Sequence, residues 1–392
     1  MIMKILFLTW KSFGNEDMIV AFRNKGHEVV EMPFDDKDLS TDKNAVDDFI
    51  GKAKQSGADC VFSFNYFPRA ALACKEMGMP YISWIYDSPY VRLYNYTTVF
   101  PTNHIFVFDS SVYEEFHSSG INTVHFLPMA ANTDRLSMMS DWATFAKTGW
   151  DNKHDVAFIG SLYTEKHQFY QRMTNITDYT RGYLEGLMAA QKQVLGYNFI
   201  QESLVNNLDI VKDMQDSLPM TPNPDGVETV EYLFAQYVIN REITAQERKE
   251  YLTDIAGKFG LDLYTPDKAL AIPGCTNHGP VDYYDFAPYV FKKAKINLNI
   301  SLRSIITGMP LRVFDIMGAG GFLLTNYQSD FLNFFVPGED FVYYESKQDM
   351  IDKIGYYLAH EDERAAIAEN GFNKIKAQHT YECRVDEMLS YI

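Results

Sequence analysis

The chain has 392 residues and a mass of 45.1 kDa, enough for two domains with separate cores, because single cores rarely grow beyond roughly 250 residues. Its 46% hydrophobic and 15% aromatic content excludes a disordered chain, and a formal net charge of −17 opposes general binding to nucleic acid or to an anionic membrane. An anionic small molecule stays permitted, since backbone N–H groups and one or two cations can hold it locally.

Residues 4–10 form a short apolar run, the pattern of a strand covered on both faces of a parallel sheet, and a loop with Gly14 leads into a helix. Further strands are predicted at 27–32, 59–64, 80–85, 104–108 and 124–127, alternating with helices as in a doubly wound sheet. Residues 132–154 are polar and turn-rich, with Trp142 and Trp150, and read as a linker between an N-terminal domain, 1–131, and a second domain, 155–376. A strand at 155–161 opens that domain. Residues 163 to about 259 form a mainly helical insertion, with an irregular Pro-rich loop at 218–225. Thr244 and Glu247 have capping-box spacing; Leu252, Ile255 and Phe259 line one face, and Gly260 stops the helix. Strands follow at 261–264, 294–300 and 321–325. Helices are predicted after Ser346, over 362–376 and at the C-terminus, 381–392, within a closing segment 377–392.

Cys60, Cys74, Cys275 and Cys383 are widely spaced and read as reduced thiols of a cytoplasmic protein, with no zinc site implied. No apolar run reaches the ~20 residues of a transmembrane helix. No HExxH motif, Cys/His cluster or aspartate-rich loop suggests a metal.

The most informative stretch is 303–325. Pro310 suits the first turn of a helix, whose open N–H groups near Pro310 and Leu311 can bind a diphosphate. Arg312 and Asp315 share a face of that helix, and a carboxylate there can accept hydrogen bonds from ribose hydroxyls. An ordinary amphipathic helix with a surface ion pair has the same spacing. Arg303 follows a strand at the edge where open α/β sheets bind ligands, so its guanidinium is a candidate for diphosphate binding and leaving-group stabilisation; a surface arginine is the alternative. Gly160 and Ser161 end another strand and permit close backbone approach to a phosphate, or form a plain turn. Asp87, also just past a strand, could take a proton from an acceptor hydroxyl, bind the acceptor, or cap a helix. His278 could line the donor pocket or sit in an ordinary loop. Gly14 stands alone, without the Gly-x-Gly-x-x-Gly spacing of dinucleotide sites.

The run 310–326 (PLRVFDIMGAGGFLLTN), with 335–340 (FVPGED), 358–364 (LAHEDER) and 379–384 (HTYECR), resembles the glycosyltransferase family that includes the spore maturation protein CgeB, and more loosely the GT-B class. Further likeness lies in 82–89 (ISWIYDSP), 127–131 (LPMAA) and 155–161 (DVAFIGS). The resemblance implies two Rossmann-like domains facing across a cleft, an acceptor side in the first, nucleotide-sugar binding in the second, and a C-terminal helix crossing back to the first. It also implies a UDP- or GDP-sugar donor, a glycan or protein acceptor, and a reaction that needs no metal. Donor contacts would fall to Gly14, Gly160, Ser161, His278, Arg303, Pro310, Leu311, Arg312 and Asp315, and catalysis to Asp87 and Arg303. Many related retaining enzymes carry a Glu-x7-Glu pair; Asp315 stands at its second place, but Thr307 at its first. A sugar-phosphate epimerase and a non-catalytic glycan- or protein-binding module are the rival readings.

Overall fold

The computed structural model describes residues 2–38, 40–139, 152–164 and 168–392. Trp142 and Trp150 lie outside the described residues, as does most of the expected linker. The part that is described includes the short helix Thr133–Met138. The chain divides into two compact units: Met1–Ala130 with Asn223–Glu228 and Gln378–Ile392, and Ala131–Pro222 with Thr229–Ala377.

The first unit is built on β1 (Lys4–Thr9), β2 (Glu28–Pro33), β3 (Cys60–Phe64), β4 (Tyr81–Ile85), β5 (Asn103–Val107) and β6 (Val124–Phe126). Their order is β2-β1-β3-β4-β5-β6, and every pairing is parallel. All five residues of β3 and all five of β4 are buried, which is why these strands read as unbroken apolar runs rather than alternating ones. The helices Lys43–Ser56 and Pro68–Met77 pack Phe49, Ala53, Ala70 and Cys74 into the core on one face.

On the other side the C-terminal helix Tyr381–Leu389 packs against the helix Asn15–Asn24. Gly14 permits this contact. Its φ of 84° favours glycine, and a Cβ there would lie 2.8 Å from the Tyr381 hydroxyl oxygen. Arg384 fastens the same segment. Its guanidinium donates to the carbonyls of Pro128 (2.8 Å), Met129 (3.1 Å) and Gln378 (3.3 Å) and to His379 Nδ1 (2.6 Å). Burial pushes its pKa down to about 10. Arg384→Ala leaves the buried carbonyls of Pro128 and Met129 without this donor and should destabilise the unit by about 3 kcal/mol, measurable by urea unfolding.

The second unit holds β7 (Val156–Ile159), β8 (Leu261–Tyr264), β9 (Cys275–Asn277), β10 (Ile296–Asn299), β11 (Leu323–Asn326) and β12 (Val342–Tyr344), ordered β12-β11-β10-β7-β8-β9 and again wholly parallel. Between β7 and β8 lies the insertion, whose helices bury Leu184, Met188, Ile200, Met214, Phe234 and Val238 in a core of their own. The capping-box expectation at Thr244 fails. The chain is already helical there, running from Val230–Leu233 through a π-helical Phe234–Ile239 into Asn240–Phe259. Thr244 Oγ1 donates back to the Asn240 carbonyl, a bond open to a mid-helix threonine. Gly260, at φ 73°, does end the helix. Ser346 caps the helix Lys347–Ala359 by accepting from the Asp349 N–H. Among the described residues no helix is long and apolar enough to cross a membrane.

Candidate functional site

In the second unit the connections leaving β7 and β10 run to opposite sides, since β8 lies beyond β7 while β11 lies beyond β10. The carboxyl ends of two such strands leave a crevice between diverging loops, the usual ligand site of an open α/β sheet. Gly160 and Ser161 follow β7 at this point, Asn299 closes β10, and the helix Leu311–Gly318 begins at the end of the loop that follows β10.

Arg312 occupies the middle of this arrangement. Its Nη1 donates to Asn299 Oδ1 (3.1 Å), and its guanidinium lies over the Phe158 ring, 5.4 Å from the centroid. Asn299 is itself fixed, donating through Nδ2 to Ser301 Oγ and Thr325 Oγ1, both at 3.0 Å. Among the described residues no carboxylate forms an ion pair with Arg312. Burial and then the neighbouring Arg248 cation push its pKa down to about 10, with Tyr163 and Asp315 pulling the other way. A guanidinium in this condition is short of an anion.

The surroundings are shaped to it. A Cβ at Gly160 would sit 2.8 Å from Arg312 Nη2, so this glycine makes room for the guanidinium. Gly160→Ala should therefore displace Arg312 and weaken binding of a diphosphate about tenfold, and because φ at Gly160 is 158° it should also cost about 1–3 kcal/mol of unfolding free energy; titration calorimetry and urea unfolding read the two effects. Arg248, which sequence reasoning missed, ties the two loops together. It donates to the Ser161 carbonyl through Nη1 (2.5 Å) and to the Ile300 carbonyl through Nε (3.1 Å) and Nη2. A signal was present: Arg248 lies one turn before Leu252, on the same buried helix face, and is 2% exposed. Ser161 contributes its carbonyl to Arg248 and its hydroxyl as acceptor for the Tyr163 N–H (2.8 Å).

Pro310 precedes the helix as its N-cap rather than standing in its first turn, so Leu311 and Arg312 open it. Asp315, one turn in, is buried and accepts a hydrogen bond from Tyr283 (3.0 Å). The structure thus brings Gly160, Ser161, Pro310, Leu311, Arg312 and Asp315 into one region.

Arg303 and His278 are engaged elsewhere. The Arg303 guanidinium, expected to meet the diphosphate, pairs with buried Glu247 through Nε (2.7 Å) and Nη2 and donates to the carbonyls of Val194 (2.7 Å) and Lys192 (3.3 Å). Its backbone N–H donates to Thr244 Oγ1 (2.9 Å), so the Thr-x-x-Glu spacing read as a cap is a receptor for this arginine. Arg303 fastens the insertion to the end of β10. His278 Nε2 lies 2.7 Å from Asp262 Oδ1, and its ring stacks on Tyr264 at 4.6 Å. Asp262 Oδ2 also accepts from the Lys153 and His154 N–H groups, so this cluster braces the β8–β9 side of the sheet. Gly14 and Asp87 belong to the first unit. Asp87 is exposed two residues past β4, where Asn65 Nδ2 donates to its Oδ2 (2.7 Å).

The architecture matches solved structures over its whole length. A glycosyltransferase from Rickettsia africae ESF-5 is 10% identical with TM-score 0.52, covering 100% of this chain and 98% of its own. Anabaena HepE in complex with UDP and glucose is 12% identical with TM-score 0.53 and full coverage of both chains. Sucrose-phosphate synthase from Thermosynechococcus elongatus is 10% identical with TM-score 0.54, covering 99% and 98%. The fold is GT-B. Residues 242–390, well under half of the chain, match the family model described as glycosyl transferase-like. No curated protein matches the sequence. In this GT-B chain the crevice residues from Arg248 to Asp315 fall inside the matched segment, whereas Gly160 and Ser161 lie outside it.

Proposed function

We propose that the protein is a glycosyltransferase that moves a hexosyl group from a nucleoside-diphosphate sugar to a hydroxyl on a glycan or protein. The observation that carries this reading is Arg312, a guanidinium with no carboxylate partner among the described residues, held by Asn299 at the strand-order reversal of a Rossmann-like sheet. A diphosphate is the anion that suits it, with the helix N–H groups at Leu311 and Arg312 as further donors. Asp315, one turn further in, takes the ribose hydroxyls, with Tyr283 orienting its carboxylate. Developing charge on the leaving nucleotide is stabilised by the same cations, so the protein's own residues supply what a metal would otherwise contribute.

UDP is the favoured nucleotide because HepE, of the same fold, has been solved in complexes with UDP and with UDP-glucose. Assignment to the CgeB-like group within this fold rests on the motif runs at 310–326 and 379–384. Four free cysteines, with Cys60 pushed up to about 12 by burial, fit a reducing cytoplasmic setting.

The test is product analysis by mass spectrometry after incubation with UDP-, GDP-, TDP- and ADP-hexoses and candidate acceptors. Transfer of one hexosyl unit with release of the nucleoside diphosphate is the expected result. An interconverted sugar formed without an acceptor favours an epimerase, and absence of turnover together with retained glycan binding favours a binding module.

A further inference from the structure

The second unit carries a cation beside the crevice that the diphosphate does not explain. Arg241 stands on the insertion helix seven residues before Arg248, so the two share a face two turns apart, roughly 10 Å along the axis. In an unbroken α-helix Arg241 would also fall on the face of Phe234, seven residues earlier, whose side chain is fully buried in the insertion core. The π-helical segment Phe234–Ile239 intervenes, and its wider turn takes Arg241 off that face. Both guanidiniums lie instead against the ring of Tyr163, Arg248 at 4.9 Å and Arg241 at 5.3 Å from its centroid. Tyr163 reaches this place with a φ of 60°, a conformation that bulky residues avoid, and its N–H donates to Ser161 Oγ (2.8 Å). Such strain persists where the surroundings enforce it, and it gathers at ligand sites. Arg241 is left without an anion. Its Nε is buried with no hydrogen-bond partner, and among the described residues no carboxylate pairs with it. The Tyr163 ring offers it a weak cation–π contact, while Arg248 on the same ring repels it. In a chain with 52 acidic residues against 35 basic ones carboxylates are not scarce, and an arginine left without one marks a place kept for an anion.

We propose that Arg241, on the Tyr163 ring, forms a second oxyanion subsite beside the diphosphate site, and that it takes the carboxylate or phosphate of an anionic sugar. This deepens the transferase reading and rests on it. In that reading Arg312 and the helix N–H groups meet the diphosphate, and Asp315 with Tyr283 meets the ribose. The sugar end of the ligand is thereby left for the side of the crevice where Tyr163 and Arg241 stand. A neutral hexose gives Arg241 nothing that it lacks. A carboxylate or phosphate accepts two parallel hydrogen bonds from a guanidinium and brings the missing charge. Either the transferred sugar or the acceptor sugar can carry that group.

Titration calorimetry on the full chain tests the subsite in two arms. One compares UDP, UDP-glucose and UDP-glucuronate; the other adds glucose or glucose 6-phosphate to the UDP-bound protein. If the transferred sugar carries the anion, UDP-glucuronate should bind about tenfold or more tightly than UDP-glucose. If the acceptor carries it, glucose 6-phosphate should show the same preference over glucose. In either case Arg241→Gln should shrink the preference to within about twofold while UDP alone binds as before. Arg241→Lys, which keeps the charge without the fork, should retain part of it. UDP binding with no preference in either arm, with a preference that survives Arg241→Gln, or with UDP affinity itself lost in Arg241→Gln overturns the separate subsite and leaves the nucleotide site standing. Absence of UDP binding to the unaltered chain would sink the UDP-sugar transferase reading and this inference with it.

Discussion

Replacing Arg312 with methionine should abolish useful nucleotide binding and leave the folded protein more stable. The guanidinium is held against Phe158 and near Arg248 with one hydrogen bond among the described residues, to Asn299, and burial and that second cation both disfavour its charge. Methionine removes the unfavourable charge while keeping an unbranched stem of similar reach. Exchanging a desolvated charge for an apolar group is commonly worth 1 kcal/mol or more, and a gain of about 1 kcal/mol is expected in urea unfolding. The same change deletes a charge-assisted contact to the diphosphate, so the dissociation constant of UDP should rise roughly 100-fold, about 2.7 kcal/mol. Calorimetry and unfolding on the same variant give the two signs together. Loss of both binding and stability would instead mark Arg312 as an ordinary structural residue.

Arg303 should behave in the opposite way. Its side chain is 9% exposed and that of Glu247 only 3%, and the pair joins the insertion helix to the end of β10. Arg303→Met strands the Glu247 carboxylate and also frees the carbonyls of Val194 and Lys192, so a loss of about 3–5 kcal/mol is expected. Glu247→Leu alone should cost a similar amount by stranding the arginine. The double substitution should recover much of the loss, because a well-packed apolar pair replaces a buried ion pair with little penalty. Additive losses in this cycle would mean that the two side chains act independently.

The contrast between these arginines shows what the sequence could and could not convey. The parallel sheets were legible because their central strands are buried on both faces and therefore read as apolar runs, as at residues 60–64 and 81–85. β12 had no counterpart among the expected strands, and β9 was given no bounds. β9 is three half-buried residues, Cys275–Asn277, with no apolar run, and β12 is equally short. The helix Leu311–Gly318 and the closeness of Arg312 to Asp315 follow from local spacing, so that part of the site was readable. The fate of Arg303 was not. Its partners come from Lys192, Val194 and Glu247, more than fifty residues away, and its strand-end position looked the same as that of a ligand-binding residue. Thr244 and Glu247 misled for a related reason: helix-cap spacing and a shared helical face produce the same three-residue interval. Arg248 was the overlooked clue, a charge on an apolar stripe.

A crystal structure of the protein with UDP tests the nucleotide site most directly. The account predicts diphosphate oxygens within hydrogen-bonding distance of the Arg312 guanidinium and ribose hydroxyls on the Asp315 carboxylate. A nucleotide bound away from both residues, with Arg312 still held only by Asn299, would contradict it.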